Sequence, residues 1–402
     1  MRMLLRGAAA LAAVVTVASL TSGAAAQPRT GKSAGTVQIS QAAQIPPGVT
    51  AAGVAVFDRE AGTFTEQINA SAQFRSASIV KLLLVLDFLW DRGPDYTIPP
   101  ADRARLEPML RGSDDNAANH YWSTYGGPAI IKRMTDRSAV GLRDTAAPPA
   151  GYEGFWGYTA ISARDTVAIY RYILEKAPAP VRDFIMDNLR RSTRCSATDH
   201  FDQHFGVAGA FDRPWAVKQG WSGKFAEGTC GPDTASSASR AEPAAPAPRG
   251  AAPRAAAGVN LTRPALHTTG TVGPDDRSIV AVLTLHQDGT SYGKAYTDLG
   301  VLTRSLNVPG AKRPAGTWFG TWGELVSVRR GPSTGDDRMT RLPAGVEVLV
   351  GCQIRGEEVS VPPYTNDWWA YLPQYGGYIS SIYISSPDNR LPNVPECGSP
   401  RP

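Results

Sequence analysis

The sequence predicts a mixed unit of helices and strands followed by a small all-β unit. Strand-like patterns open and close the first unit, and an almost entirely apolar helix lies between them. Short strands separated by turn residues fill the C-terminal part, a spacing typical of a small β-barrel. The chain has 402 residues, of which 42% are hydrophobic and 19% charged, so it has enough apolar material for buried cores.

The first residues have the pattern of a secretory signal peptide over 1–26. Arg2 and Arg6 form a basic start, residues 7–20 form the apolar run, and residues 24–26 are small alanines where cleavage fits. The run is short and Ala-rich for a membrane span, although an uncleaved anchor is the alternative. No Cys stands directly after it, so we expect a secreted, extracellular monomer without stable membrane insertion.

The charge pattern argues against a nucleic-acid partner. The formal net charge at pH 7 is +5. The arginines that produce it are scattered along the chain, whereas a nucleic-acid-binding protein gathers basic residues on one face. We therefore expect no nucleic-acid partner.

The chain contains four cysteines, Cys195, Cys230, Cys352 and Cys397, which can be oxidised in an exported protein. Four cysteines allow three pairings. The bridges Cys195–Cys230 and Cys352–Cys397 are favoured because each stays within one predicted unit. None of the four belongs to a Cys-x-x-Cys pair, which argues against zinc or redox chemistry.

Two histidines, His200 and His204, are four residues apart and could in principle hold a metal ion. No Glu-bearing zinc motif surrounds them, so a packed or surface pair is favoured. We expect neither a metal nor an organic cofactor.

The predicted organisation after the signal peptide has four parts. These are a flexible lead-in over 27–48, a first domain over 49–306, a linker over 307–316 and a C-terminal domain over 317–402. Residues 231–258 are rich in Ala, Pro, Ser and Arg and contain no aromatic residue, so we expect a disordered insertion within the first domain. Such insertions are tolerated because the cost of loop closure rises slowly with length.

The first domain opens with a predicted β-hairpin over 51–74. The helix over 78–90 is apolar almost all round, which indicates burial rather than a surface position. The remaining predicted elements are helices over 101–134, 162–175 and 292–306, the first of these ranges holding two or more, and strands over 215–221, 266–269 and 278–286.

The apolar helix carries a Ser-x-x-Lys motif, Ser78 to Lys81. A spacing of three puts both side chains on one helix face. Burial of an ammonium is costly and favours the neutral amine, which can take the proton of a nearby hydroxyl and make it a nucleophile. Chance is the alternative, since Ser291 and Lys294 have the same spacing without a buried helix around them.

Two further motifs follow along the chain. Ser113 begins the run Ser-Asp-Asp-Asn, where a hydroxyl could relay a proton, although such residues also cap helices. Lys218 begins the run Lys-Gln-Gly-Trp on a predicted strand, where it could bind a carboxylate and, by repulsion, favour the neutral amine of Lys81. Gly220 would let a substrate backbone approach. The alternative for Lys218 is an exposed edge-strand lysine.

In this order, the three motifs resemble those of the penicillin-recognising serine hydrolases, most closely the class A β-lactamases, which show Ser-x-x-Lys, Ser-Asp-Asn and Lys-Thr-Gly. The resemblance covers residues 50–306. It implies an α/β (α+β) fold, in which an antiparallel sheet flanked by helices lies beside an all-helical lobe. The nucleophile would lie between the two parts.

The resemblance also implies roles for individual residues. Ser78 would be the acylated nucleophile, Lys81 its general base or proton relay, Ser113 the proton shuttle and Lys218 the contact for a substrate carboxylate. The backbone N–H groups of Ser78 and Trp221 would form the oxyanion hole. Substrate contacts are expected at the positions of Asp115, Gln219 and Gly220.

The chain departs from the family pattern at three positions. Asp115 stands where the family has Asn, unless Asn116 takes that role by a shift, and Gln219 replaces Thr. The family activates water with a loop Glu that has an Asn four residues later. The carboxylate available on the corresponding loop is Glu153, which is followed at that spacing by Gly157 and could instead be a solvated loop residue.

These departures leave three hypotheses for function. The first is a serine hydrolase that is acylated at Ser78 by β-lactams or peptidoglycan peptides and then releases them by hydrolysis, with Glu153 activating water. The second is a penicillin-binding, D-alanyl peptidase-like enzyme with slow deacylation. The third is a catalytically inactive wall-binding protein.

The C-terminal domain resembles bacterial Src-homology-3-like (SH3-like) domains over 317–386. The resemblance rests on residues 326–334, 342–345, 368–372 and 377–383. It implies a small barrel that docks peptidoglycan and thus association with the cell wall. Aromatic residues could supply the binding surface, although most such residues belong to cores; they are Trp318, Trp322, Trp368, Trp369, Tyr375 and Tyr378.

Overall fold

The computed structural model describes residues 44–222, 230–231 and 259–398. The predicted signal peptide, most of the predicted lead-in and nearly all of the predicted insertion lie outside these residues. Within the described part, no helix combines the length and the apolar character needed to cross a membrane.

The first domain alternates strands and helices. Short 3₁₀ turns lie at Ala77–Val80, Trp156–Tyr158 and Pro274–Asp276. The strands are β1 (Val49–Asp58), β2 (Thr63–Ile68), β3 (Phe74–Arg75), β4 (Ala160–Ile161), β5 (Trp215–Ser222), β6 (Ala265–Val272) and β7 (Ser278–His286). The helices are α1 (Lys81–Trp90), α2 (Pro100–Arg111), α3 (Asp115–Thr124), α4 (Pro128–Asp136), α5 (Ala163–Glu175), α6 (Ala179–Arg190), α7 (Val207–Ala210) and α8 (Tyr292–Ser305).

Five of these strands form an antiparallel sheet in the order β2-β1-β7-β6-β5. Side chains that alternate along β1 enter different cores: Ala55 and Phe57 pack with α1 and α5, whereas Val54 and Val56 pack with α8. This period of two is the pattern of a strand buried on both faces. The predicted antiparallel sheet with flanking helices is confirmed.

Helix α1 lies at the centre of a group of helices and contacts α2, α3, α4 and α6. Its side chains are buried except at Asp87 and Trp90, which are partly exposed. A helix surrounded on all sides has no polar face, so its sequence is apolar all round. The predicted buried helix over 78–90 is confirmed, with its first turn in the 3₁₀ form.

The C-terminal strands form two sheets. Strands β8 (Thr317–Gly320), β9 (Ser327–Arg329), β10 (Arg338–Arg341), β11 (Glu347–Val350), β12 (Cys352–Val361), β13 (Tyr364–Leu372) and β14 (Gly377–Ser380) are followed by a 3₁₀ turn at Ser381–Tyr383. The sheets have the orders β10-β9-β14-β13-β12 and β11-β8. The predicted short strands are present, but the described strands do not close into one barrel, so an SH3-like barrel stays a prediction.

The C-terminal strands share a hydrophobic core with the first domain. Val328, Val348 and Leu372 belong to the same buried cluster as Leu299 of α8 and Val282 of β7. A Cβ at Gly293 of α8 would stand 2.0 Å from the carbonyl oxygen of Ala344. Only a residue without a side chain allows this close approach, so α8 packs directly against the C-terminal strands.

Both predicted disulfides are present in the structure. Cys195 is bonded to Cys230, and Cys352 is bonded to Cys397. No described cysteine is free.

Candidate active site

Ser78 lies in the 3₁₀ turn Ala77–Val80 that leads into α1, and only 4% of its surface is exposed. The preceding residue, Ala77, has a φ of +44°. A left-handed conformation is unfavourable for a residue with a Cβ and is often found at functional sites. The turn is held by the backbone N–H of Ser76, which donates to the carbonyl of Thr159 at 2.7 Å.

Lys81 is completely buried at the start of α1. Its Nζ donates to the carbonyl oxygen of Ser113 at 2.7 Å, to Oγ of Ser113 at 3.1 Å and to a carboxylate oxygen of Asp115. The described hydrogen bonds of Lys81 do not include one to Ser78. A role of Lys81 as the base for Ser78 stays a prediction, and the structure adds Asp115 as a partner of the amine.

Ser113 lies between two lysines. It has a φ of +57° and is 2% exposed, and its Oγ also accepts a hydrogen bond of 2.9 Å from Nζ of Lys218. Lys218 is 1% exposed. Burial, reinforced by the positive charge of Lys81, holds the pKa of Lys218 well below its ordinary value, although Asp115 opposes this effect.

The first turn of α3 decides which residue of the Ser-Asp-Asp-Asn run faces the site. Asp114 caps the helix by accepting from the N–H of Ala117 at 2.8 Å. Asp115 points to Lys81, whereas Asn116 is exposed. In the structure, a carboxylate at position 115 and not the amide of Asn116 therefore lies against Lys81.

Gln219, a predicted substrate contact, has protein partners for both atoms of its side-chain amide. Its Nε2 donates to the carbonyl of Phe205 at 2.7 Å, and its Oε1 accepts from the N–H of Thr269 at 3.3 Å. The side chain is 1% exposed. Because both amide atoms already have buried partners, the residue fixes β5 rather than presenting a free amide to the site.

Gly220 brings β5 close to the turn that carries Ser78. A Cβ at this position would stand 3.1 Å from the carbonyl oxygen of Ser76 and 3.2 Å from Cγ1 of Ile79. The absence of a side chain at Gly220 thus allows close packing against Ser76 and Ile79 of the protein itself. The next residue, Trp221, donates from Nε1 to a carboxylate oxygen of Asp199 at 2.7 Å, and its ring stacks on Phe201.

The loop before β4 presents a tryptophan, not a carboxylate, to the buried amine. The ring centre of Trp156 lies 4.6 Å from Nζ of Lys81, and its Nε1 donates to Asn119 at 2.8 Å. Glu153 is exposed, and its carboxylate accepts from the N–H of Gly151 at 2.9 Å. The described contact of the Glu153 carboxylate is therefore with its own loop and not with Lys81. A role of Glu153 in activating water stays a prediction.

Asp165 closes the base of this loop. Its carboxylate accepts from the N–H groups of Arg143 and Asp144 and from the hydroxyl of Thr145, at 2.7 to 3.1 Å. Asp165 is 1% exposed. A buried carboxylate with this many donors is well satisfied and holds the two ends of the loop together.

Sequence reasoning did not identify Arg75, which ends β3 shortly before the turn that carries Ser78. The buried guanidinium donates to the carbonyl oxygens of Ser222, Leu261 and Arg263, on both sides of the predicted insertion. Burial lowers the pKa of Arg75 to about 10. No local pattern announces this contact, because the carbonyls come from distant parts of the chain.

Of the two histidines His200 and His204, the structure gives protein partners for the ring of His204. The ring of His204 packs edge-on against Trp215, and its Nε2 lies 3.2 Å from the carbonyl of Ser192. Burial lowers the pKa of His204 to about 3. Among the described residues, no group of three His, Cys, Asp or Glu side chains is arranged to hold a metal ion.

The arrangement has the parts of a proton-transfer site. A hydroxyl lies between two buried amines, one of the amines faces a carboxylate, and a second serine stands at the adjacent helix start. A hydroxyl between two nitrogen atoms can receive a proton on one side and release one on the other.

Comparison with known proteins gives partial likenesses. No protein-family model matches the chain. Proteins named "Putative lipoprotein LppW" from Mycobacterium bovis and Mycobacterium tuberculosis are 35% identical over 173 residues, which is 42% of this chain and 53% of each relative. The chain therefore spans about half the length of these curated relatives.

Two solved structures resemble part of the chain. One is a class A β-lactamase from Mycobacterium abscessus, with 17% identity and a TM-score of 0.42 over 63% of this chain and 92% of that one. The other is a mutant of PBP-A in an acyl-enzyme complex with penicillin G, with 15% identity and a TM-score of 0.43 over 64% and 89%. At these identities the likeness concerns the fold alone.

Proposed function

We propose that the chain is an exported serine hydrolase that is acylated at Ser78 by β-lactams or related cell-wall peptides and then hydrolyses the acyl group. The observation that carries this proposal is the hydroxyl of Ser113, which lies 3.1 Å from the amine of Lys81 and 2.9 Å from that of Lys218. Two buried lysines around one hydroxyl are costly to maintain, and such groups are typical of sites that move protons.

In acylation, Oγ of Ser78 attacks the carbonyl carbon of the substrate. Lys81 first passes a proton to Asp115 and then accepts the proton of Ser78. As the C–N bond breaks, Ser113 gives its proton to the leaving nitrogen and regains one from Lys81. The proton on Asp115 returns to Lys81, so the site ends in its starting protonation state.

The developing negative charge on the carbonyl oxygen needs hydrogen-bond donors. We assign this role to the backbone N–H groups of Ser78 and Trp221. The close packing of Gly220 against Ser76 supports the assignment because it brings the two segments together. Such donors are worth about 3 kcal/mol in comparable sites. Contact between Lys218 and a substrate carboxylate stays a prediction that requires the amine to give up a present contact, because it is buried and donates to Ser113 and to the carbonyl of Gln219.

Deacylation requires a base for water, and we assign it to Asp115. Its side chain is 24% exposed while that of Lys81 is fully buried, so of this pair Asp115 is the residue that solvent reaches. Water that attacks the ester would give its proton to Asp115, and Lys81 would give one to Oγ of Ser78. Proton exchange between Asp115 and Lys81 then restores the pair.

A second candidate function, a penicillin-binding enzyme with slow deacylation, is favoured by the loop before β4. The exposed carboxylate of Glu153 and the buried ring of Trp156 beside Lys81 leave this loop without a base for water. A stable acyl-enzyme would then accumulate.

The test is incubation with a labelled penicillin, followed by intact-mass measurement and a chromogenic β-lactam turnover assay. Transient mass gain with turnover supports the hydrolase, and a persistent adduct supports the second candidate. The Ser78→Ala variant should form no adduct. Ser291→Ala is the matched control, since Ser291 begins the second Ser-x-x-Lys spacing but is an exposed helix cap. If the wild-type protein forms no adduct, the remaining hypothesis is a catalytically inactive wall-binding protein.

Association with the cell wall through the C-terminal strands is part of this proposal. Of the six aromatic residues, Trp368 and Trp369 are buried, whereas Trp322 is 47% exposed. Tyr364 is 63% exposed on β13. The Trp322→Ala and Tyr364→Ala variants should pellet less with insoluble peptidoglycan than the wild type, and equal pelleting would contradict this role.

A further inference from the structure

We propose that the turn between β13 and β14 positions the Ser113 and β5 sides of the active site. It acts through residues 192–210, called here the bridging segment. The catalytic part of this inference rests on the proposed function. Gln374 and Tyr375, at the tip of the turn, are the positioning residues.

The turn is fastened to the bridging segment by several polar contacts. The side chain of Gln374 donates to the carbonyl of Gly209, and its own carbonyl accepts from Arg194. The hydroxyl of Tyr375 donates to Asp202 at 3.3 Å, and its ring lies 4.2 Å from the guanidinium carbon of Arg194.

Arg194 and Asp202 form an ion pair at the centre of these contacts, with a distance of 3.0 Å and with side-chain exposures of 22% and 5%. Loss of one partner of a buried ion pair strongly destabilises the folded protein, because the other charge is then left unpaired. The pair therefore favours the docked position of the turn, which also completes the hydrogen bonds of Asp202.

On its other side, the bridging segment holds the backbone around Ser113. The N–H of Ala197 donates to the carbonyl of Gly112 at 2.7 Å, and Oγ1 of Thr198 accepts from the N–H of Asp115 at 3.1 Å. A Cβ at Gly112 would stand 3.2 Å from Cβ of Ala197. These contacts lie directly before and after Ser113, whose positive φ must be maintained by its surroundings.

The same segment holds β5. The carbonyl of Phe205 accepts from Gln219 at 2.7 Å, and Asp199 accepts from Trp221 at 2.7 Å. Lys218 precedes Gln219 on this strand, so the segment influences both ends of the 2.9 Å hydrogen bond between Lys218 and Ser113. Through the bridging segment, the turn thus influences the distance between the amine of Lys218 and the hydroxyl of Ser113.

The experiment compares Gln374→Ala, Tyr375→Ala and the conservative Tyr375→Phe in the full chain. Tyr371→Phe is the matched control, because Tyr371 packs on Tyr378 in the same strands and has no described polar side-chain contact with the bridging segment. Two readouts are measured at temperatures where each variant is folded. These are amide hydrogen exchange over 112–118 and 215–222, and the pH profile of acylation by a labelled penicillin.

We expect exchange over both ranges to rise roughly tenfold in Tyr375→Ala and Gln374→Ala, because local opening becomes easier. Acylation should slow roughly tenfold with a shifted pH profile, since small displacements of reacting groups cost large factors. Tyr375→Phe, which keeps the ring on Arg194, should retain most of the rate, and Tyr371→Phe should match the wild type.

Unchanged exchange over both ranges would overturn the inference, whether or not the protein is active. Faster exchange with a wild-type rate and pH profile would also overturn it, because the turn would then only stabilise the fold. If the wild type forms no adduct, the proposed function fails, and the exchange data alone decide whether the turn positions these segments.

Discussion

Lys218 donates a hydrogen bond of 2.9 Å from Nζ to Oγ of Ser113. The same oxygen accepts from Lys81, which alone of the two lysines also has hydrogen bonds to a carboxylate. The two amines are therefore electrostatically unequal although both are buried. In the proposed mechanism, this inequality favours proton transfer to Ser113 from Lys81, the lysine that is paired with Asp115.

Replacement of Ser113 by Ala should slow acylation of Ser78 by about 100-fold or more, the usual contribution of a positioned proton-transfer group. The variant removes the shared acceptor of Lys81 and Lys218 without adding volume. The rate is measured from the time course of mass gain with a labelled penicillin. Ser123→Ala, at an exposed position of α3, is the control, and a wild-type rate in Ser113→Ala would contradict the role.

Two carboxylate variants separate the possible bases for water. Asp115→Asn should reduce turnover at least about 100-fold, because the amide cannot accept a proton from Lys81 during acylation or from water during deacylation. Glu153→Gln should leave turnover within about twofold of the wild type if the exposed carboxylate only closes its local turn. Chromogenic β-lactam hydrolysis and intact mass measure both effects. If Glu153→Gln were the slow variant instead, Glu153 and not Asp115 would be the base that activates water.

Part of the site could be predicted from sequence because the motifs are local. Helical spacing puts Ser78 and Lys81 on one face, and the order of Ser113 and Lys218 along the chain matches a known type of site. The disulfides could be predicted because pairing within one unit needs no knowledge of the packing.

Other features depend on packing between distant segments. The pairing of Asp115 with Lys81 depends on the left-handed conformation of Ser113, which Gly112 and the bridging segment hold in place. Gln219 could serve either substrate or protein, and only the position of Phe205 decides between them. The helix glycine Gly293 was a signal for close packing on α8, but its partner could not be inferred.

Deletion of residues 317–402 should abolish the cooperative fold of the remaining chain. The deletion would uncover the face of α8 that carries Gly293, Thr297 and Arg304, which lie against Ala344 and Glu347 of the C-terminal domain. It would also divide the hydrophobic cluster to which both parts contribute. Burial of one core side chain contributes about 2 kcal/mol, and proteins are stable by only about 5–15 kcal/mol. Thermal unfolding followed by circular dichroism and sedimentation measures the effect. A soluble, cooperatively folded fragment that still reacts with penicillin would contradict the shared core.

Gly220→Ala should slow acylation and lower stability by about 1–3 kcal/mol, the usual cost of overpacking. The added methyl group would meet the carbonyl of Ser76 and the side chain of Ile79 at 3.1 and 3.2 Å, pushing β5 away from the turn that carries Ser78. Denaturant unfolding and the acylation rate are measured together. Gly154→Ala, on an open loop where a Cβ meets no atom within 4 Å, is the control and should leave both values unchanged.

The stability of the protein should fall as the pH drops from about 6.5 to about 4. Burial lowers the pKa of His267 to about 4 and that of His204 to about 3, whereas both would titrate near 6.5 in the unfolded chain. Within this window the unfolded state binds protons that the folded state does not, so the free energy of unfolding decreases by up to about 1.4 kcal/mol per pH unit for each histidine. Below the folded pKa of each group, its effect levels off.

Urea unfolding at pH 7, 6, 5 and 4 measures the slope of the free energy of unfolding against pH, and His267→Gln should reduce this slope by about one proton. An unchanged slope in that variant would show that His267 does not remain neutral in the folded protein, where its Nδ1 accepts from Thr284 and its Nε2 contacts the carbonyl of Arg75.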